Sequence, residues 1–441
     1  MDKLPVPPHD TRYGFYYFPD TYHYRLSDLN TWLPELQSLG ATWLTLNTPI
    51  DRAIPEAFIQ GVLSANIQPI LHFQMPHILP YHAEELEPLF RVYYRWGVRY
   101  IALFDRPNLR ANWSASTWVQ GNLVERFLDL FIPLAETAIN NGLVPIFPPL
   151  EPGGDYWDTA FLQVALQGLQ RRGTSRLLER LVIGAYAWVG NRSLDWGAGG
   201  PERWPATRPY DTPAGSQDHR GFRIFDWYMA LSQAVLGEVC PILIMGAGSK
   251  PGDCMDTQSS AVDLQAHAWQ NLSIARLMAG EKLEFEPVPS TVLACNFWLL
   301  SAPPSSRHAR HAWYQSNEPA LSAVSALKKW VKTGFPMPYY STTQPHHDIF
   351  PPAPIAHYLL LPSFDWGISD WHLEVIRPFI KKHRPTVGFS VVEAAHAQRV
   401  TVIGGPQAIP DTVLDGLIAA GCTVERINGD GTVIATKLAE L

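Results

Sequence analysis

"RYIALFDRPN" occupies residues 99–108. Its second to sixth residues form an apolar, strand-prone run, and an acid, a base, a proline and an asparagine follow at once. A short apolar run without polar alternation reads as a strand buried on both faces. Downstream, "NLVERFLDLFIPLAETAINNG" (122–142) has helical spacing, and "VPIFPPL" (144–150) is another apolar run. Strand, polar end, helix and strand make up the unit that parallel pairing with helical crossovers requires.

The unit recurs along the chain. Strands are expected at 13–18, 42–49, 68–74, 99–104, 144–150, 181–189, 240–246 and 290–300. Helices are expected at 26–41, 55–66, 82–97, 122–142, 158–172 (followed by a second short helix), 222–237, 261–280 and 319–334. Ser27 or Asp28 suits the start of the first helix, and Pro55 the first turn of the second. Eight such units fit a (β/α)₈ TIM barrel. An open doubly wound sheet is the alternative, but no Gly-x-Gly-x-x-Gly follows the first strand.

Residues 335–356 are rich in proline and lack periodicity, which predicts a linker between a barrel at 1–334 and a small parallel α/β domain at 357–441. The small domain is expected to hold four strands, at 357–363, 386–390, 399–405 and 423–428. His346-His347-Asp348 lies in the linker, where a solvated loop is expected rather than a metal site. No metal or cofactor is expected. Gly404-Gly405 is not a dinucleotide fingerprint, because no third glycine opens the helix.

A net charge of −7 gives no reason to expect nucleic acid as a partner. No run approaches the roughly 20 apolar residues of a membrane span. The opening "MDKLPVPPHD" lacks the apolar core of a signal peptide, so a cytoplasmic protein, or one exported by another route, is expected. Cys240, Cys254, Cys295 and Cys422 show no metal-ligand spacing and are expected as free thiols. The chain carries 16 Trp and 17 Tyr, many beside Pro, Gly or Asn, where loops expose rings that can stack on sugars.

In a (β/α)₈ barrel the chemistry gathers where the strands end. Those ends supply Tyr16 and Asp20 from the first strand and His72 and Gln74 from the third. The fourth gives Asp105, Arg106 and Asn108, and the fifth gives Glu151 and Asp155. Tyr186, Trp188, Asn191 and Asp195 come from the sixth, Ser249, Lys250 and Asp253 from the seventh, and Asn296 and Trp298 from the eighth. Aromatic rings, carboxylates and amides together suit a polyhydroxylated ligand. Tyr16, Asp20, Asp105, Arg106, Asn108, Trp188, Asn191, Asp195 and Trp298 are the candidate ligand-binding residues.

The barrel resembles the clan A glycoside hydrolases, especially the cellulase-like barrels of some bacteria. The resemblance is carried by Asp105-Arg106-Pro107-Asn108 with Asn112-Trp113 after it, and by "LEPGGDYWDTAFL" (150–162), "VGNRSLDW" (189–196), "FW" (297–298) and "HAWY" (311–314). In that family the fourth strand ends in Asn-Glu-Pro-Asn, whose glutamate is the general acid/base. Arg106 stands in its place. The family's nucleophile is a glutamate at the end of the seventh strand, where Gly246 stands here. A retaining glycosidase needs two carboxyl groups roughly 5–5.5 Å apart. Arginine gives up no proton at working pH, and glycine has no group to attack with. Asp105 is expected on the opposite face of the strand end, yet Asp105 and Arg106 together read as the family's Asn-Glu pair remodelled into an ion pair or ligand clamp; Asp155 is expected to cap the following helix.

The resemblance therefore implies a carbohydrate-binding pseudoenzyme, with an oligo- or polysaccharide as partner and cell-wall glycan among the candidates. Two alternatives stay open. One is an active hydrolase with relocated carboxylates, for which Glu151, Asp155 and Asp105 are the candidates. The other is an assembly module that uses the barrel as an interaction surface. Residues 402–432 faintly resemble the cell-wall-binding type 2 repeat of bacterial surface proteins, and fit better any small α/β domain with a Gly-rich strand end.

Overall fold

The computed structural model describes residues 4–75, 77–316, 318–334, 355–362 and 370–440. The chain divides into two compact units, 1–340 and 341–441.

The first unit is a closed barrel of eight parallel strands. They are β1 (Tyr13–Tyr16), β2 (Trp43–Asn47), β3 (Gln68–Phe73), β4 (Tyr100–Leu103), β5 (Val144–Leu150), β6 (Val182–Trp188), β7 (Ile242–Gly248) and β8 (Val292–Phe297). β1 closes the ring by pairing with β8, with Gly14 opposite Asn296. A Cβ on Gly14 would stand 1.8 Å from the Trp43 carbonyl oxygen, so the β1–β2 seam closes only on glycine.

The strand runs lack alternation because both faces are buried. Trp43, Ile70, Tyr100, Ile146, Leu243 and Met245 fill the interior. Outward residues meet the helices: Phe147 of β5 lies 5.9 and 5.4 Å from Phe127 and Phe131 of the helix Leu123–Asn140. Short helices that the periodicity did not announce, Ala115–Trp118 and Gly200–Arg203, lie in the loops after β4 and β6.

Residues 4–12 close the base. The Pro5 carbonyl accepts from the Tyr100 hydroxyl at 2.9 Å. The Asp10 carboxylate accepts from the Arg12 amide (2.7 Å), the Thr42 hydroxyl (2.9 Å) and Trp43 Nε1 (2.8 Å). Leu4 packs against the interior layer.

The second unit is a four-stranded parallel sheet in the order β10-β9-β11-β12, with β9 at Ile355–Leu360, β10 at Thr386–Gly388, β11 at Ala397–Ile403 and β12 at Thr423–Ile427. Tyr358, Leu360, Val400 and Val402 build one core, and Leu359, Leu361, Ile403 and Ile427 build the other. Consecutive residues thus feed opposite faces, as a sheet covered on both sides demands. β9 begins at Ile355, inside the stretch expected as linker. Residues 335–354, including His346-His347-Asp348, lie outside the described residues. All four cysteines are free. No described helix is long and apolar enough to cross a membrane, and the described residues hold no cluster of metal-ligating side chains.

Candidate functional site

The site is built from the end of β4 outward. Past Leu103 the backbone takes positive φ at Phe104 (66°) and again at Arg106 (44°), a region that non-glycine residues rarely occupy. Several bonds hold this turn. His72 Nε2 donates to the Phe104 carbonyl (3.1 Å), and the Arg106 amide donates to the Pro149 carbonyl (3.0 Å). The Asn112 side-chain amide donates to the carbonyls of Asp105 and Arg106, each at 3.0 Å.

The turn corrects the expectation that Asp105 lies on the opposite face of the strand end, and forms the Asp105–Arg106 ion pair that the sequence suggested. Left-handed residues on both sides of Asp105 break the alternation of a strand, so the two side chains meet. Arg106 Nε and Nη2 lie 2.9 and 2.8 Å from Asp105 Oδ2, while Asp105 Oδ1 accepts from the Tyr186 hydroxyl at 2.8 Å. Arg106 Nη1 reaches Glu151 Oε2 at 3.5 Å. Burial works against the Arg106 charge, yet Asp105 beside it raises its pKa above the ordinary arginine value. The Glu151 carboxyl is pushed up by burial and pulled back by Arg106.

An aromatic wall adjoins these charges. Tyr186 stacks on Trp188 (centroids 4.9 Å apart, 14° between planes), Trp188 meets Trp298 edge-on at 6.0 Å, and Trp298 lies 4.8 Å from Tyr16. A Cβ on Gly246 would stand 3.0 Å from both the Trp188 and Tyr186 rings. The stack therefore covers the place where a strand-seven carboxylate would begin.

Lys250 Nζ sits 4.1 Å from the centroid of the Trp188 ring. Among the described residues no carboxylate lies within 4.0 Å of it. Burial lowers the pKa of its ammonium, against the pull of Asp253 and Glu151. His308, 5.2 Å from Trp298, is held near a pKa of about 4 by burial and by neighbouring cations, Arg307 first among them.

Beneath the wall, Tyr16 and His72 are fully buried. Gln74 donates to the Tyr16 hydroxyl (2.8 Å), which leaves that hydroxyl to donate to His72 Nδ1 (3.2 Å). With Nε2 donating to Phe104, His72 is a neutral imidazole with both nitrogens engaged, and burial lowers its pKa further.

Of the predicted residues, the fold thus brings Tyr16, Asp105, Arg106, Glu151, Trp188 and Trp298 into one connected cluster. Only part of the expected stacking surface is accessible. Tyr16 is fully buried and Trp298 is 8% exposed, because each packs under its neighbour; Trp188 is half-buried.

The remaining candidates make their bonds elsewhere. Asn108 is buried and braces the loop after β5. It donates to the carbonyls of Glu151 (2.8 Å) and Tyr156 (3.0 Å) and accepts from the Glu151 amide (2.9 Å). Asn191 does the same for the loop after β7, bonding both the amide and the carbonyl of Asp256. Asp20 accepts from the Tyr22 amide and pairs with His23 at 2.8 Å. Asp195 accepts from the Glu286 amide at 3.3 Å. Asp155 does not cap the helix Asp158–Arg171; it is exposed and accepts from the Arg110 amide at 2.8 Å.

Two buried networks escaped the sequence reading. Asp158 accepts from His219 Nε2 and from the Tyr228 hydroxyl, each at 2.7 Å, and from the Gly153 amide at 2.8 Å. Asp218 joins Arg192, Arg220 and Trp196. Asp158 fastens the long loop after β6 to the start of the helix after β5, and Asp218 ties that long loop to itself. Neither shows in the sequence, because Asp158 and His219 lie 61 residues apart.

A parallel barrel whose loop face gathers ion pairs and an aromatic wall defines the class of this protein as a (β/α)₈ barrel. No protein-family model matches the chain, and no curated protein matches it by sequence. Among solved structures it is similar to a GH128 (subgroup II) endo-beta-1,3-glucanase from Sorangium cellulosum, at 12% identity and a TM-score of 0.40 over 72% of this chain and 97% of that one. It is similar to a thermostable GH5 cellulase from an Icelandic hot spring isolate, at 9% identity and 0.43 over 73% and 87%. It is also similar to a 3-keto-D-glucoside 4-epimerase from E. coli, at 11% identity and 0.36 over 73% and 99%. At such identities and TM-scores these likenesses assign no activity, and the barrel stands on its own strand topology.

Proposed function

We propose that the barrel binds saccharide at its loop face and does not hydrolyse it by the retaining mechanism. One observation carries this reading. The half-buried Trp188 stacks on Tyr186 and carries Lys250 on its ring, and Arg106 lies over Tyr186, so an aromatic surface adjoins hydrogen-bonding groups, while the Asp105 and Glu151 carboxylates at the strand ends are both engaged by Arg106. The Asp105 oxygens are taken up by Tyr186 and Arg106, and position 246 has no side chain.

A panel of oligosaccharides screened on the full chain tests the reading. Binding is expected, and Trp188→Ala should weaken it about fivefold or more, in line with stacking of roughly 0.5–1.5 kcal/mol beyond area burial. No turnover of activated aryl glycosides is expected, since such substrates need little acid assistance and so report on a nucleophile. Binding that is indifferent to Trp188→Ala would move the site elsewhere. Absence of any glycan binding would favour an assembly role.

A second reading has one specific support. Burial raises the Glu151 carboxyl toward a proton-donating range, as a relocated general acid requires. Turnover abolished by Glu151→Gln would establish it. The resemblance of residues 402–432 to a wall-binding repeat makes cell-wall glycan the first class to screen.

A further inference from the structure

On the same loop face, the segments after β1 and β2 enclose a cleft of about 260 Å³. Tyr24 and Ile54 form a buried apolar floor, and the exposed Tyr22, Arg25, Arg52 and Pro55 stand at its rim. The floor is fixed: Tyr24 is buried and its hydroxyl donates to the Asn47 carbonyl at 2.6 Å, while Ile54 is 1% exposed.

The rim is loosely held. Tyr22 is 75% exposed, with the Arg52 guanidinium 5.9 Å from its ring centroid. Every bond of Arg52 to Asp51 and Thr21 lies at 3.4–3.5 Å, the outer limit, and the Asp51 side chain is 71% exposed. Arg25 is exposed, and among the described residues no carboxylate lies within 4.0 Å of its guanidinium. Arg25, with no ion-pair partner among the described residues, and Arg52, whose ion pair with Asp51 is long and exposed, therefore line a concave apolar floor beside an exposed phenol ring. A guanidinium matches a carboxylate or a sulfate through paired N–H donors, and a tyrosine ring stacks on a sugar face. The volume falls just below the roughly 300–1,000 Å³ of drug-sized sites, which leaves room for a single ring.

We infer that this cleft is a subsite for an acidic sugar residue, one ring bearing a carboxylate or a sulfate, in a saccharide whose neighbouring residues reach the Trp188 face. The inference rests on the saccharide reading of that face and names the class of saccharide.

Calorimetric titration of the full chain with three probes tests it: a uronate tetrasaccharide, a sulfated tetrasaccharide and neutral cellotetraose. At least one acidic probe should bind at least tenfold more tightly than cellotetraose, and whichever it is identifies the anionic group. Arg25→Gln/Arg52→Gln should remove that advantage and leave cellotetraose binding unchanged. Tyr22→Ala should weaken the acidic probe severalfold. All three substitutions are on exposed side chains, and unchanged circular dichroism will show that the fold is kept. Acidic binding that survives the double substitution but is lost in Trp188→Ala overturns the cleft and leaves the saccharide reading standing. Cellotetraose binding without any acidic binding does the same. Failure of all three probes overturns the cleft; failure of the whole oligosaccharide panel overturns the saccharide reading as well.

Discussion

Replacing Arg106 by methionine isolates what the cluster at the end of β4 does for the fold. The guanidinium makes two contacts with Asp105 Oδ2, at 2.8 and 2.9 Å, and Asp105 is only 7% exposed. Without Arg106, the Asp105 carboxylate keeps just the Tyr186 hydroxyl as a partner. Removing one member of a buried pair costs roughly 3–5 kcal/mol, since the other charge stays behind. The Arg106 side chain is itself 30% exposed, and methionine restores part of its packing, so a loss of about 3 kcal/mol is expected, at the low end of that range. The assay is urea unfolding followed by tryptophan fluorescence, which reports on the barrel because all but two of the tryptophans precede residue 335. Asp105→Asn combined with Arg106→Met should recover most of the loss, because a neutral amide oxygen still accepts from Tyr186; the double-mutant cycle then measures the coupling. A single Arg106→Met variant within about 0.5 kcal/mol of the parent, the range typical of an exposed pair, would refute the buried-clamp account.

Gly246→Glu should destabilise the barrel by about 1–3 kcal/mol, because its Cβ must push the Tyr186 and Trp188 rings apart; an unchanged urea midpoint would contradict the packing described. His267 is fully buried, neither ring nitrogen has a hydrogen-bond partner among the described residues, and burial holds its pKa down near 4, so the unfolded chain takes up the proton first as pH falls. Stability should be complete above about pH 6.5 and decline by about 3 kcal/mol towards pH 4; His267→Phe should flatten that slope. Asp218 has its pKa depressed to about 2, with Arg220 the leading cause against the opposing effect of burial. Its contribution of about 2 kcal/mol should be present above pH 4 and vanish as pH falls through 2, so Asp218→Asn should matter at pH 7 and not at pH 2.

The barrel was legible in the sequence because each strand advertised itself twice, as a short apolar run and as the polar stop ending it. Boundaries moved where sequence signals were weak. The seventh strand runs to Gly248 rather than 246, since Gly246-Ala247-Gly248 reads as a turn but pairs with Tyr186-Ala187-Trp188. The site was less legible. The φ values of Phe104 and Arg106, which turn Asp105 toward its neighbour, are set by partners on β3, on β5 and at Asn112, and no local pattern encodes them. Asn108 and Asn191 look alike in sequence whether they serve a ligand or a loop, and here both serve loops. Lys250 was visible at the strand end, but its seat on Trp188 depends on a contact across 62 positions.

The strap of residues 4–12 closes one end of the barrel and leaves its loop face as the open end. Hydrogen bonds to Tyr100, Thr42 and Trp43 seal the base with the chain's own backbone and one carboxylate. With side chains filling the interior above this base, a polymer bound at the loop face would lie across the rim or offer an end to it, and would not thread the ring.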